Sequence, residues 1–203
     1  VYVDVASAGM FVINGVLWSP SGWYITQTSS EIYLDVGIQV VELWFPGYLI
    51  RSMGESGNFE VGLDLYTGDY IWLDWNTHWT MWYGWDEFGF PPIVFDPPHS
   101  DYGLDTDSDG LYEYLVVQAS VDVSVAGTYW IMAVVDLGTG VGFASNLTYL
   151  DTGLQIVDIK VPGWQMVAHA VNGPYDVALW AYDETITNMM DSDMYLTGVY
   201  TYD

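Results

Sequence analysis

Two kinds of residue are scarce or missing in this chain: cysteine and the basic side chains. None of the 203 residues is cysteine, which excludes disulfide bonds, thiolate metal sites and covalently attached c-type haem. Arg51 and Lys160 stand against 27 Asp and Glu residues, so the formal net charge is -25. Nucleic acids, phosphorylated substrates and anionic membranes need positive charge on the protein, and we do not expect them as partners.

Long apolar runs are missing as well. Hydrophobic residues make up 51% of the chain, which predicts a folded protein. No run approaches the length of a membrane span, so no span is expected. The sequence starts directly on the strand-like residues 1–5, without a signal peptide or an initiator Met. We interpret it as a mature chain whose signal peptide has been removed, and we expect an extracellular or cell-surface location.

Signatures of catalysis are also absent. His78, His99 and His169 lie in three separate regions without the spacing of a zinc site. The serines lack a Gly-x-Ser-x-Gly context, which argues against nucleophilic hydrolysis. A glycosidase needs two carboxylates across a cleft, and no pair stands out among the 27 acids. The sequence therefore predicts a protein that is not an enzyme. A hydrolase is kept as an alternative only because the chain has many carboxylates.

The most specific chemical pattern is an acidic stretch in the middle of the chain. Carboxylates at every second position, closed by Gly110, bring hard oxygen atoms to one point, which suits Ca²⁺. Position 12 of an EF-hand loop would be a bidentate Glu, but Val116 stands there. The other interpretation is an acidic surface turn that holds no ion. The predicted calcium ligands are Asp105, Asp107, Asp109, the Leu111 carbonyl and Glu113.

The chain also contains an internal duplication. Residues 33–64 align without a gap on residues 149–180, with 11 of 32 positions identical. Further along, Thr80 matches Thr197 and Asp86 matches Asp203 at an offset larger by one residue. Such a repeat indicates two copies of one module.

Each copy has the pattern of an all-β protein. Short runs rich in aromatic and β-branched residues, bounded by Gly, Pro, Asn or Asp, predict strands at residues 39–45, 59–66, 128–135 and 175–182, and residues 59–66 alternate with period two. No helical stripe is evident, and Pro46-Gly47 and Pro162-Gly163 are interpreted as turns. We predict two tandem antiparallel β-sandwich domains: residues 1–88, a stiff Pro-rich linker at residues 89–104, and residues 105–203 with the calcium loop.

A tryptophan-rich segment is the second unusual feature. Five tryptophans, Trp72, Trp75, Trp79, Trp82 and Trp85, fall within 14 residues, whereas copy two has Tyr195, Tyr200 and Tyr202 in that region. Tryptophan is frequent in protein interfaces and in the stacking platforms of sugar sites. Three interpretations stay open: a subunit interface, core packing and carbohydrate binding.

Several motifs of copy two occur together in one known kind of module. The acidic turn with its Leu-Tyr-Glu-Tyr-Leu continuation, Ala126-Gly-Thr-Tyr129, Tyr149-Leu-Asp-Thr-Gly153 and Asn172-Gly-Pro-Tyr175 resemble a repeat of large secreted archaeal and bacterial surface proteins. The resemblance covers most of residues 101–203 and, through the duplication, much of residues 1–86. It implies calcium-stiffened β-sandwich modules with structural or adhesive roles.

These observations predict a structural subunit of an extracellular filament, sheath or layer, expected to be archaeal. Copies would assemble through strand edges and aromatic surfaces, because main-chain pairing at an open edge needs no particular side chains. The predicted contact with a neighbouring subunit is the first strand, Val1, Tyr2, Val3, Asp4 and Val5, together with the five tryptophans. The alternative is a carbohydrate-binding or adhesive module with a glycan partner.

Overall fold

The structure, a computed structural model, describes residues 1–186 and 188–201. The chain forms two compact units, residues 1–90 and residues 91–203. Both consist of antiparallel strands arranged in sheets, which confirms the predicted all-β sandwich fold. Among the described residues, no helix is long and apolar enough to cross a membrane.

The first unit has a four-stranded sheet in the order β3-β2-β5-β6 and a two-stranded sheet of β1 and β4. Alternate residues of its strands, such as Ile13, Leu17 and Phe59, are buried and form the apolar core. This alternation is typical of strands with one buried face. The elements are β1 (Tyr2–Val5), β2 (Gly9–Trp18), β3 (Tyr24–Leu34), β4 (Gly37–Val40), α1 (Gly47–Met53), β5 (Gly57–Thr67), β6 (Trp72–Tyr83) and a 3-10 helix (Trp85–Glu87).

The second unit has a four-stranded sheet in the order β11-β10-β13-β14. A second sheet runs β12-β9-β7, and β8 also pairs with β9. Its core is more fully buried than that of the first unit, with Ile131, Ile159 and Leu179 entirely inaccessible. The elements are β7 (Ile93–Phe95), β8 (Ser100–Leu104), β9 (Tyr114–Val123), β10 (Gly127–Asp136), β11 (Val141–Leu150), β12 (Gly153–Pro162), α2 (Gly163–His169), β13 (Asp176–Asp183) and β14 (Met189–Leu196).

The register of the strands agrees with the duplication. Val5 pairs with Gly37 in β1 and β4, and Val123 pairs with Gly153 in β9 and β12, so β1 corresponds to the end of β9. One side-chain bond is repeated too. The Thr80 hydroxyl accepts the Phe59 N–H at 2.9 Å, and the Thr197 hydroxyl accepts the Tyr175 N–H at 2.8 Å. Tyr202 and Asp203, which belong to the predicted repeat, lie outside the described residues.

Two short helices occupy the places where the sequence predicts turns, and that prediction was wrong. The helices α1 and α2 each begin directly after a proline, Pro46 or Pro162. Proline fixes φ near the helical value. It also lacks a backbone N–H, which costs nothing here because the N–H groups at the start of a helix have no partner within the helix. Both helices have only seven residues, too few for a helical stripe to show in the sequence.

The predicted linker at residues 89–104 needs a correction. Ile93–Phe95 and Ser100–Leu104 are strands β7 and β8, and both pair with β9. Most of this segment is therefore part of the second sandwich, because its alternating apolar residues fill an edge position of the sheet. Ile93 is fully buried and Phe95 is 8% exposed.

The expected strand at residues 39–45 is also shorter than predicted. In the first unit β4 ends at Val40, whereas the matching β12 continues for ten residues. The reason is the partner strand: β12 pairs along all ten residues of β9, but β4 has only the four residues of β1. A strand needs a neighbour to satisfy its backbone groups.

Candidate metal centre

The acidic loop connects β8 to β9, at the edge of the second unit. Gly110 has a φ of 94°, a conformation that glycine adopts without steric cost. Ser108, with a φ of 65°, is also left-handed. These two positions turn the chain sharply, so that the alternating aspartates face one point instead of spreading along an extended strand.

Four of the predicted ligands come together in this loop. Asp105, Asp107, Asp109 and Glu113 each offer a carboxylate oxygen, and these atoms all lie within 4.8 Å of one another. Asp105 and Glu113 are half-buried, whereas Asp107 and Asp109 are exposed. Within residues 1–186 and 188–201, no other group of His, Asp or Glu side chains converges in this way. The arrangement can hold a metal ion.

Backbone N–H groups orient the carboxylates. Asp105 accepts one hydrogen bond from Gly110 at 2.9 Å and another from Ser108 at 2.6 Å. Glu113 accepts bonds from both the backbone N–H and the hydroxyl of Thr106. Hydrogen bonds to the ionised form favour it. The Gly110 N–H, with a smaller effect from Ser108, therefore lowers the pKa of Asp105, and the Thr106 N–H, then its hydroxyl, lowers the pKa of Glu113.

The end of the loop is held against the start of α2. The Gly163 N–H donates to the Glu113 carbonyl at 2.7 Å. A Cβ at Gly163 would lie 2.3 Å from the Tyr112 carbonyl oxygen, so only glycine permits this close approach. The ring of Tyr112 in turn covers Gly103 at the end of β8. The loop is thus fixed to α2 and to β8.

The two remaining positions of an EF-hand-like loop are Leu111 and Val116. Leu111 lies in the loop with 57% of its surface exposed, and its carbonyl as a ligand stays a prediction. Val116, at the position of the EF-hand Glu, is fully buried in β9. The strand starts too early for that position to face an ion, so the loop has fewer protein ligands than an EF-hand.

The histidines do not form a site. His99 is buried, and its Nδ1 accepts the Ser120 N–H at 3.1 Å. Its Nε2 lies 3.1 Å from a carboxylate oxygen of Asp193. A ring whose Nδ1 accepts must donate from Nε2, so His99 bridges β9 and β14 as a structural group. Sequence reasoning missed this pair because 94 residues separate its members.

The tryptophan-rich segment lies almost entirely on β6. Antiparallel partners share a face of the sheet, and two bulges in the pairing of β6 with β5 place four tryptophans opposite outward residues of β5. All four are more than half exposed. This tryptophan row consists of Trp72, Trp75, Trp79 and Trp82, which pair with Tyr66, Asp64, Glu60 and Asn58.

Trp85 lies apart from the tryptophan row. It belongs to the 3-10 helix, where the Arg51 guanidinium carbon lies 5.2 Å from the centroid of its ring. The same carbon lies 3.8 Å from the ring centroid of Phe90, and the guanidinium donates to the Phe88 carbonyl at 2.8 Å. These contacts give Trp85 a packing role within the first unit.

The predicted contact strand, residues 1–5, includes β1 and the preceding Val1. Val3 and Val5 are buried, and Tyr2 is 80% exposed. One edge of β1 is paired with β4, and among the described residues no strand pairs with the other edge. Its pairing with a neighbouring subunit stays a prediction.

No family model and no curated protein matches the chain. Among solved structures, it is similar to a DUF4785 family protein from Legionella pneumophila, with 12% identity over 98% of this chain and 49% of that one. A glycosyl hydrolase family 2 member from Bacteroides cellulosilyticus has 11% identity, with 98% and 28% covered. A calcium-binding mutant of Bacteroides uniformis β-glucuronidase 2 has 7% identity, with 98% and 26% covered. All three TM-scores are 0.39, which supports no conclusion on function, and the chain spans half or less of each.

Proposed function

We propose that this chain is a non-enzymatic structural module of an extracellular surface protein, stabilised by calcium at the acidic loop. The observation that carries the proposal is the convergence of Asp105, Asp107, Asp109 and Glu113 within 4.8 Å. Four carboxylates this close repel one another unless a cation lies between them. The loop lies where β8, β9 and α2 meet, so an ion there would stabilise the second sandwich.

Calcium fits these ligands better than other common ions. Hard oxygen donors suit Ca²⁺ and Mg²⁺, whereas zinc and copper sites use histidine or cysteine. Mg²⁺ demands near-ideal octahedral geometry, while Ca²⁺ accepts six to eight oxygens in a flexible arrangement. With Val116 in the core instead of a bidentate Glu, the affinity would be low. Low-affinity sites of this kind fill at the millimolar calcium of the extracellular space.

A role in an assembled surface layer, sheath or filament agrees with the open edge of β1 and with the exposed tryptophan row. An unpaired strand edge is a template for pairing with another chain, which monomeric proteins usually cover. A net charge of -25 opposes close packing of copies unless cations screen it. Bound calcium would therefore favour assembly as well as folding.

The test of the calcium site is thermal unfolding of the full chain with calcium and with EDTA, together with elemental analysis. At a calcium concentration about 100 times the Kd, binding stabilises the folded state by about 2.7 kcal/mol. We expect a higher Tm with calcium, and loss of that increase in Asp105→Asn. Asp151→Asn, an exposed acid of the second unit outside the loop, is the matched control and should keep it. Equal Tm values in calcium and EDTA, with no metal detected, would contradict the proposal.

The test of assembly is electron microscopy of the purified chain with and without calcium. Ordered filaments or sheets that lose their order on chelation are expected. Deletion of residues 1–5 should prevent them, since β1 would be gone. Normal polymers from that deletion variant would exclude the predicted strand contact.

The tryptophan row favours a second candidate, carbohydrate binding. Four exposed indoles on one face of an edge strand resemble the flat stacking surfaces on which sugar rings lie. Trp75 and Trp79 pair with the acids Asp64 and Glu60, which can accept hydrogen bonds from sugar hydroxyls. Binding on a glycan array that is lost in Trp79→Ala, but kept in Trp23→Ala, would favour this function. Trp23 is 67% exposed, against 55% for Trp79, and lies outside β6.

A further inference from the structure

One face of the second unit is apolar although it points to solvent. Residues that pair across antiparallel strands share a side of the sheet. In the sheet β11-β10-β13-β14, one set of alternate residues is buried in the core and the other set lies outside. Three successive rows of the outer set contain no charged side chain. These rows form what we call the apolar face: Phe143, Val134, Ala178 and Met194; Ser145, Met132, Trp180 and Ser192; Leu147, Trp130, Tyr182 and Met189.

The apolar face is accessible and large. Met194 is 68% exposed, Phe143 is 47% exposed and Leu147 is 44% exposed, while Trp130 and Trp180 are half-buried. With strands about 4.8 Å apart and about 3.4 Å per residue, the four strands and the ten residues of β10 give the sheet an outer face of roughly 600 Å². Monomeric soluble proteins rarely expose a contiguous apolar patch larger than a few hundred Å². An apolar surface of this size indicates an interaction site.

The first unit shows that the fold does not require these apolar residues. Gly9 pairs with Leu34, and Gly127 pairs with Leu150, so the positions of the two sheets can be matched. At four of them the first unit has a polar or charged residue and the second unit a large apolar one: Gln27 and Phe143, Glu31 and Leu147, Asn14 and Met132, Asp64 and Trp180. Because the same module tolerates polar groups there, the apolar residues serve something other than folding.

Charge, shape and area favour a second copy of the chain as the occupant of this face. Copies with a net charge of -25 repel one another, and contact between them is least opposed where both surfaces lack charge. A sheet also matches the twist of its own copy, and two sheets stack about 10 Å apart with interdigitated side chains. Two such faces would bury roughly 1,200 Å² in total, more than the ~1,000 Å² expected of a specific interface.

The acids around the face decide how two copies are oriented. Val135 pairs with Val177, so the exposed residues Asp136 and Asp176 lie at the same end of the sheet. One acid, Glu184, follows β13 at the other end. If matching strands run antiparallel, the end with two acids in one copy lies opposite the end with one acid in the other. This orientation keeps the two pairs of aspartates apart and is therefore favoured.

We propose that the chain forms a symmetric dimer in which the apolar faces of two second units stack with matching strands antiparallel. The two-fold axis runs along the middle row, so Ser145 faces the partner's Ser145 and Ser192 faces the partner's Ser192. The dimer goes beyond the proposed function, because it does not need the contact at β1. A symmetric dimer closes on itself, so a chain that also pairs through its first unit would have the two different contacts that an extended assembly requires.

The test of the dimer is analytical ultracentrifugation of the full chain at about 0.15 M salt, where charges more than about 8 Å apart are screened. We expect a species of twice the mass of the chain. Leu147→Glu introduces the residue that the first unit has at the matched position. It should raise the dimer Kd at least a hundredfold, because it changes both copies and each buried apolar side chain contributes about a factor of ten or more. Ile156→Glu, the matched control, changes the charge equally on β12 of the other sheet, where Ile156 is 67% exposed, and should leave the Kd unchanged.

Cross-linking tests the geometry, and it decides the question if Leu147→Glu does not fold. The chain has no cysteine, so one introduced thiol is unique. Ser145→Cys and Ser192→Cys should each give a covalent dimer with a short bis-maleimide, and Ile156→Cys should not. If matching strands ran parallel, Ser145 would face the partner's Ser192, and cross-links would form only in a mixture of the two serine variants.

Deletion of residues 1–5 separates this dimer from the proposed contact at β1. The deletion variant should still dimerise where it no longer polymerises, and Leu147→Glu should still pair through β1. A chain that stays monomeric at every concentration tested, a dimer that Leu147→Glu leaves intact, or cross-links confined to the mixture would each overturn the proposal. So would binding of monomers to phosphatidylcholine vesicles that Leu147→Glu abolishes, since the apolar face would then contact a membrane.

Discussion

The two units are copies of one sandwich, yet only the second has a closed core. The matched residues Leu63 and Leu179 occupy the same inward position of β5 and β13, and the former is half-buried while the latter is inaccessible. The residue is leucine at both positions. What differs is the neighbouring strand, since β7 packs against β13 in the second unit, whereas no described strand pairs with the outer edge of β1 in the first. Burial in a β-sandwich is therefore decided by which strands are present, not by the inward residues alone.

The largest expected effect compares these two leucines. Leu179→Ala should lower the free energy of unfolding of the second unit by about 2–5 kcal/mol, the cost of a cavity in a packed core. Leu63→Ala should cost the first unit roughly half of that, because its side chain is only half-buried. Urea unfolding followed by circular dichroism measures both values. Equal losses would show that the first core is as closed as the second.

A smaller effect is expected at the repeated threonine bond. Thr197 is 6% exposed, and Thr197→Val would leave the Tyr175 N–H without its acceptor. An unpaired buried donor costs about 1–3 kcal/mol. Thr80→Val removes the matching bond to Phe59 at a less buried site and should cost less. Tm shifts of the two variants check the order, and a larger shift for Thr80→Val would contradict it.

The smallest effect concerns alkaline pH and is confined to the second unit. Burial, followed by the nearby Asp101 carboxylate, raises the pKa of Tyr195 above its usual value of 10. Burial also raises the pKa of Tyr200, whose hydroxyl donates to Asp101 at 2.6 Å. A raised pKa favours the neutral form in the folded state. Its contribution is present below pH about 10 and is lost as pH rises toward the folded-state pKa.

A series of Tm measurements between about pH 8 and pH 11 tests this expectation. Tyr195→Phe is the informative variant, because the Tyr195 hydroxyl is buried and has no hydrogen-bond partner among the described residues. Its removal should leave the Tm at neutral pH unchanged or higher and should flatten the alkaline decline. A decline as steep as that of the unmodified chain would assign the effect to other groups.

The strands that the sequence predicts best are those with clear period-two alternation. Residues 59–66 and 128–135 lie within β5 and β10, since each buries alternate residues against its own copy's core. The acidic loop was predictable for a similar reason: Asp105 to Glu113 are local in sequence, and their spacing alone brings the carboxylates together. The convergence of four of these side chains follows the predicted pattern.

What the sequence did not predict depends on distant partners or on very short elements. The loss of strand after Val40 follows from the length of β1, which residues 39–45 cannot reveal. The strand character of Ile93–Phe95 was hidden by the prolines on both sides of it. The outward alignment of the tryptophan row depends on two bulges, and bulges shift a register without a reliable sequence signal.

The two strong cations have one further consequence, because each lies in a different unit and in a regular element. Arg51 belongs to α1, and Lys160 lies within β12, paired with Val116. Trypsin cleaves only after such residues and needs a locally unfolded substrate, so the native chain should resist it. Cleavage after Arg51 would report opening of the first sandwich and cleavage after Lys160 opening of the second. The protein thus carries one built-in proteolytic reporter for each half.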